Sequence, residues 1–421
     1  MLGPVNGYLR KVGAMVKASP HWGAWFLISL VTIALFIRYP ANQEVQLGGQ
    51  TPTDFGVYMR AWQRVNLGEN PYVLTDGSPY KYAPGALALF KVMPDKLGNA
   101  WFVFGTLSIF ALGLALTVGV RYVAWRNVLW VIFGLIFAWK GILETLDYGQ
   151  LELLIVGVAT VGAALLPHTP FTAGLLIGTL PWFKLPWLAL ALPFLLVVIR
   201  RDQKGLSRFV SGYMVACFLW AAAIPSWLFG SERALYLSQQ WFSVLRAQPK
   251  ELYYSDINQS LWVSVTRWMG SGSLAELCLA LGLGAMGLGI LIGWLMARPS
   301  RTPTWQGALP WMSPWLILIQ LLNPLSWRWG SVFLVGVPLA VFGGIRRTPV
   351  ASAVLFFLIC IFWLIQQNPF VRALGFHHWT ELHQYGVITA YWLLFLVAAA
   401  WKESAGVSAA DGVASGQLPE A

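Results

Sequence analysis

The chain has 421 residues, of which 57% are hydrophobic and only 11% charged, with a formal net charge of +11. So few charges exclude an ordinary soluble domain and are what a multi-pass membrane protein requires. The positive balance fits anionic lipid heads or phosphates, and no basic cluster with interleaved aromatics points to nucleic acid. The three cysteines, Cys217, Cys278 and Cys360, lie far apart inside apolar runs. They build neither a disulfide framework nor a metal-ligand spacing, and read as packing residues.

Arg10, Lys11 and Lys17 precede a first apolar run from Trp22 to Ile37. Its flank lacks a small-residue cleavage site, so it reads as an uncleaved signal anchor with a cytoplasmic N-terminus. The first outer loop, 41–99, is then extracytoplasmic. Within it, Phe55, Tyr58, Trp62 and Val65 recur at helical steps after Asp54, and Gly68, Asn70 and Pro71 stop the helix. Such an amphipathic helix is expected to lie in the membrane interface. Tyr80, Lys81, Tyr82 and Pro84 lead into a second amphipathic run.

Further apolar runs lie near 100–120, 127–143, 150–166, 171–183, 186–199, 209–229, 273–296, 305–322, 329–345, 350–367 and 385–401. With the first they predict an all-α polytopic bundle of about twelve transmembrane helices. Lys184 and Pro186 interrupt 171–199, which predicts two short helices meeting at the outer side. The short inner loops carry Arg121, Arg126, Arg200, Arg201, Lys204, Arg208, Arg298, Arg301, Arg346 and Arg347, consistent with both termini inside. Two more outer segments are expected, 231–267 and 368–384. One membrane domain thus spans 1–402, and 403–421, rich in Ala, Gly and Ser, reads as a disordered cytoplasmic tail.

Asp54 stands where the first span meets the outer helix. Thr51-Pro52-Thr53-Asp54 has the form of a helix N-terminus, with Thr51 as the cap. A carboxylate there also suits removal of a proton from an acceptor hydroxyl near the lipid heads. The two roles are compatible. Lys184 and Arg328 are cations at outer span ends; they either snorkel to head groups or together make an anion site for a phosphate. Gln150 and Glu152 open one span, and Asn258, Gln259 and Ser260 another. Their amides and hydroxyls fit sugar hydroxyls, or equally cap helices. His377, His378 and His383 match no zinc pattern, leaving a loop role or a phosphate contact. No Ser-His-Asp grouping, P-loop or dinucleotide fingerprint is present.

Several of these motifs, in order, resemble glycosyltransferase family 87. They are Asp54-Phe55-x-Val57-Tyr58 with Gly68-x-Asn70-Pro71-Tyr72 and Tyr82-x-Pro84; Gly149-Gln150; Lys184-x-Pro186; Asn258-Gln259-Ser260-Leu261 with Arg267; and Pro324-x-Ser326-Trp327. The resemblance implies a GT-C-like fold and an inverting transfer, typically of mannose, from a polyprenyl-phosphate sugar on the periplasmic side of the bacterial inner membrane. It implies Asp54 as the catalytic base. Where the family commonly places an acid and a histidine after Ser326-Trp327, this chain has Arg328, Trp329 and Gly330, so Arg328 stands in for the phosphate-contacting histidine.

The resulting expectation is a membrane glycosyltransferase that passes a hexose to a lipid or glycan acceptor. Asp54 acts as base; Lys184, Arg328, His377 and His378 meet the donor phosphate. Tyr58, Tyr82, Gln150, Asn258, Gln259, Ser326 and Trp327 contact substrate. No cofactor or metal is expected, and no nucleic-acid partner. A transporter or flippase of lipid-linked sugars is the alternative, using the same basic, aromatic surface without breaking a bond. A transporter of that kind often repeats its broken helices in matching halves, and 171–199 has no convincing counterpart.

Overall fold

Helical periodicity and the prolines that interrupt it account for most of the architecture. The computed structural model describes residues 54–73, 79–120, 125–201, 203–247, 258–269, 281–282, 284, 308–323, 330–331, 333–334, 349–378, 381–382 and 385–395. Among these residues the protein is all-helical, with no strand. The expected first span, the run at 273–296 apart from a few positions, most of 329–345, and the tail at 403–421 lie outside them. Thr51 and Pro52 do so too.

Helix α1 (Asp54–Asn66) carries Asp54 in its first described turn, where an acid suits the N-terminal end of the helix dipole. Phe55, Tyr58 and Val65 are buried, as their spacing predicts, but so are Gly56, Val57, Met59 and Ala61. The N-terminal half of α1 is therefore enclosed by protein rather than open along one face, while Leu67 beyond its end is 76% exposed. Gly68, at φ +85°, closes the helix: its N–H reaches Val65 O at 3.1 Å and Glu69 N–H reaches Arg64 O at 2.9 Å. A 3₁₀ turn (Pro84–Ala86) and the short α2 (Leu87–Lys91) then lead to α3 (Leu97–Val120).

Helices α4 (Trp125–Tyr148) and α5 (Glu152–Leu165) follow, then α6 (Pro170–Phe183). The chain breaks at Lys184, which is extended, and resumes as a 3₁₀ turn (Leu185–Leu190) and α7 (Ala191–Arg201). Pro186 in the first turn of that segment supplies no N–H to continue α6, so the interruption falls where the proline predicts. Helix α8 (Gln203–Phe218) runs through a π-helical turn (Leu219–Ala223) into α9 (Ile224–Phe229). Then come the amphipathic α10 (Ser231–Arg246), α11 (Leu261–Met269), α12 (Ala308–Leu322), α13 (Pro349–Leu364), α14 (Asn368–Ala373) and a final helical stretch at 387–395.

Two described helices are long and apolar enough to cross a membrane, Leu97–Leu116 and Lys204–Phe229. A third candidate is a bent pair, Val131–Tyr148 with Glu152–Leu165, turned through 117° at the break. This is a transmembrane protein, and these two or three spans are those of the described residues alone, since the expected spans at 22–37, 273–296 and 329–345 lie wholly or largely outside them. Hydropathy alone treats every apolar run as a span, whereas α5 and α6 are 14 residues each. At 1.5 Å per residue such a helix reaches about 21 Å, less than the roughly 30 Å hydrocarbon core.

Helices α6 and α8 cross with their backbones touching. A Cβ on Gly174 would lie 2.0 Å from Phe209 O, and one on Gly212 would lie 2.0 Å from Phe171 O. Small residues permit such approach where burial in lipid provides no hydrophobic drive. Gly174→Val is expected to push α6 off α8 and destabilise the protein by about 1–3 kcal/mol. A lowered unfolding temperature in detergent checks this; an unchanged one contradicts the crossing.

Candidate functional site

Three interruptions in the helices converge on one place: the start of α1, the α4–α5 bend and the α6 break. The bend depends on Gly149, at φ +67°, a conformation that a side chain resists. Its absent Cβ also makes room for Phe55, since a Cβ there would sit 2.4 Å from the Phe55 Cβ. The Phe55 ring is 5.0 Å from that of Phe104, and Trp101 Nε1 donates to Leu146 O at 3.0 Å. Thus α3 locks the end of α4 and the start of α1 together. On the other side Ala83 N–H donates to Trp182 O at 3.1 Å, tying the 79–83 strand of loop to the end of α6.

Helix α10 fastens the end of α1 and the loop that follows it. Arg233 donates to Val65 O at 2.9 Å, Asn70 Nδ2 donates to Gln240 Oε1 at 3.2 Å, and Trp241 Nε1 donates to Lys81 O at 2.8 Å. Inside the loop, Tyr58, Tyr72, Tyr80 and Tyr82 form a buried aromatic group with Phe90. The Tyr58 and Tyr82 hydroxyls are 2.6 Å apart, and Tyr72 Oη donates to Tyr82 O at 2.8 Å. Burial pushes the Tyr58 and Tyr82 phenols well above their ordinary range, so both remain protonated.

At the convergence, Gln150 Nε2 donates to Asp54 Oδ2. Lys184 Nζ donates to Gln150 Oε1 at 3.4 Å and makes an ion pair with Glu152 Oε1. Glu152 is 1% exposed and Lys184 21%. Asp54 is half-buried. Its carboxyl is pushed up from the ordinary 3.8 to about 6. Removal from water is the main cause; Lys184 and Lys81 oppose it and Glu152 adds to it. Lys81 is in turn held below its ordinary range, first by burial, with Asp54 opposing. A carboxylate raised this far is a stronger base than a solvated one, yet stays mostly ionised at neutral pH. Two ammonium groups, Lys184 and Lys81, thus stand beside two carboxylates, Asp54 and Glu152, and ammonium donors are groups that an anion's oxygens pair with.

Four of the expected site residues therefore lie in contact or in a chain of contacts: Asp54, Gln150 and Lys184 directly, and Tyr58 within electrostatic reach of Asp54. Tyr82 joins through Tyr58. Asn258 and Gln259 are fully buried before α11, where Asn258 Oδ1 accepts from Ser260 N–H at 3.0 Å. Thr389 Oγ1 donates to Gln259 O at 2.9 Å, so this pair is packed on the 387–395 helix. His377 and His378 follow α14, and both their backbone N–H groups donate to Glu381 Oε1 at 2.9 Å. Arg328, Ser326 and Trp327 lie outside the described residues. Glu152 and Lys81 belong to the cluster but were not assigned to it from sequence. The available signal was slight: an acid opening one apolar run and a cation just ahead of an amphipathic one.

A family model described as glycosyltransferase family 87 matches residues 80–318. No curated protein and no solved structure matches the chain.

Proposed function

Because the chain belongs to glycosyltransferase family 87 and is thus a glycosyltransferase, we propose that it moves a hexose, mannose foremost, from a polyprenyl-phosphate donor to a hydroxyl of a lipid or glycan acceptor. The reaction takes place on the periplasmic face of the bacterial inner membrane. The observation that carries this reading is the Asp54 carboxylate, half-buried at a helix start and raised to about 6, with cations beside it. In the transfer the acceptor oxygen attacks the anomeric carbon as its proton passes to Asp54. The bond from that carbon to the phosphate oxygen breaks, and polyprenyl phosphate leaves with the electron pair. A single displacement of this kind inverts the anomeric centre.

The departing phosphate needs stabilising charge, and fixed cations provide it without reorganisation. Lys184 has three N–H donors, of which Glu152 and Gln150 take two among the described residues; the third is proposed to meet a phosphate oxygen. Arg328, His377 and His378 are the other proposed phosphate contacts. Tyr58, Tyr82, Gln150, Asn258, Gln259, Ser326 and Trp327 are the proposed sugar and acceptor contacts. Incubating the purified protein in detergent with radiolabelled polyprenyl-phosphate hexoses and a cell-envelope extract is expected to yield labelled glycosylated product. A sugar that only changes sides in vesicles, with no new glycosidic bond in detergent, would mean a flippase instead.

The acid limb of the kcat profile follows from the same carboxylate. Transfer is expected to fall as pH drops through about 6, tenfold per unit below it, because protonated Asp54 takes no second proton. The donor is a phosphodiester and does not titrate there. A profile flat to pH 5 contradicts the role of Asp54.

A further inference from the structure

The ion pair between Glu152 and Lys184 is poorly explained as a stabilising device. Glu152 is 1% exposed, and its Oε2 accepts no hydrogen bond among the described residues. A buried carboxylate with an unsatisfied oxygen is costly, and a well-packed apolar residue of similar size serves a fold as well or better. What the pair does do is fix an orientation. Gln150 lies between an ammonium, which only donates, and a carboxylate, which when ionised only accepts. Its amide therefore has one compatible placement, with Oε1 toward Lys184 and Nε2 toward Asp54, as found. With Lys184 untethered, the amide is free to rotate and withdraw its N–H from Asp54.

We infer that Glu152 is a positioning residue for the transfer: through Lys184 it locks the Gln150 amide, which in turn aims the Asp54 carboxylate. This rests on the reading of Asp54 as the base. Six polar or charged side chains face Asp54 from the elements around it: Gln150 and Glu152 at the bend, Lys184 at the break, Lys81 and Tyr82 in the loop, and Tyr58 on α1. Removing Glu152 is expected to change both the aim and the acidity of the base, since its charge helps to raise Asp54 and its ion pair holds Lys184.

The test uses the full-length protein with a radiolabelled polyprenyl-phosphate hexose and envelope acceptor. Glu152→Gln is expected to lower kcat about tenfold to a hundredfold, the scale of a small misplacement of a reacting group. The acid limb of the residual activity is expected to move to lower pH, a change that loss of folded protein does not produce. Glu152→Asp restores part of kcat. The double variant Glu152→Gln/Lys184→Met removes both buried charges and with them the proposed phosphate contact of Lys184, so its kcat is expected to fall below that of Glu152→Gln. Wild-type kcat with an unmoved acid limb in Glu152→Gln overturns the inference. So does a double variant that folds and turns over normally, or the failure of both variants to fold, which makes the pair structural. Asp54→Asn is the control: if it is active, the base assignment itself fails, whereas an inactive Asp54→Asn beside a normal Glu152→Gln rejects only the positioning role.

Discussion

Asp54→Asn is expected to lower transfer by about 10²–10⁴-fold, the usual contribution of a general base, while leaving the protein folded. The change keeps the shape of the side chain and its polar contact with Gln150 but removes the lone pair that takes the acceptor proton. Its effect on stability has a definite sign. The folded-state value of about 6 lies above the ordinary 3.8, so the native protein binds this proton more tightly than the unfolded chain. The associated stability is fully present below about 3.8 and is lost as pH rises through about 6. At neutral pH the ionised, half-buried carboxylate therefore costs about 1–3 kcal/mol relative to a neutral group. Asp54→Asn should unfold at the same temperature as the parent at pH 7 or at a higher one, and the comparison should reverse or vanish near pH 4. A variant with near-parental turnover would end the assignment. A variant that is inactive because it is unfolded would place Asp54 in the fold instead.

The second large effect is expected at Gly149, which stands beside two site residues at once. It directly precedes Gln150, and its missing Cβ faces Phe55, the neighbour of Asp54. Gly149→Ala has to hold φ near +67°, a conformation that costs about 1–2 kcal/mol with a side chain. It also has to displace Phe55, which packs edge-on to Tyr58 and Phe90 and tilted on Phe104. The total destabilisation is expected to be about 2–4 kcal/mol. Transfer by the fraction that remains folded should fall about 10²-fold, because Asp54 and Gln150 move apart. Gly68→Ala is the matched control. Gly68 has φ +85° but nothing within 4 Å of its Cβ direction, so only the backbone cost of about 1 kcal/mol applies and turnover per folded molecule stays at the parental level. Equal losses of activity in the two variants would mean that the contact with Phe55 does not position the site.

Much of the local structure is legible from sequence because it is written in short-range signals. The end of α1 at Gly68 and the break at Lys184-x-Pro186 follow from turn and proline chemistry acting within a few residues. Helix geometry is less legible, since apolar content alone does not show that α4 and α5 meet at a bend of 117°. The cluster around Asp54 is hardest to read. Gln150 meets it across 96 residues, and Lys184 meets Glu152 across 32. Pairings at such separations depend on the bend at Gly149 and the crossing of α6 with α8, and neither leaves a periodic trace. The ordered motifs that resemble the family pointed to Asp54, Gln150 and Lys184. They left out Glu152, whose proposed role concerns the neighbours of the proposed base rather than the substrate.

The most direct test of the chemistry is the anomeric configuration of the product. With an isotopically labelled polyprenyl-phosphate sugar of known configuration, the linkage formed by the purified enzyme can be read from its one-bond carbon–proton coupling. Direct attack by a hydroxyl deprotonated at Asp54 requires the configuration opposite to that of the donor. The same configuration in product and donor would mean two displacements through a sugar bound to the enzyme, and Asp54 would then be something other than the base of a single step.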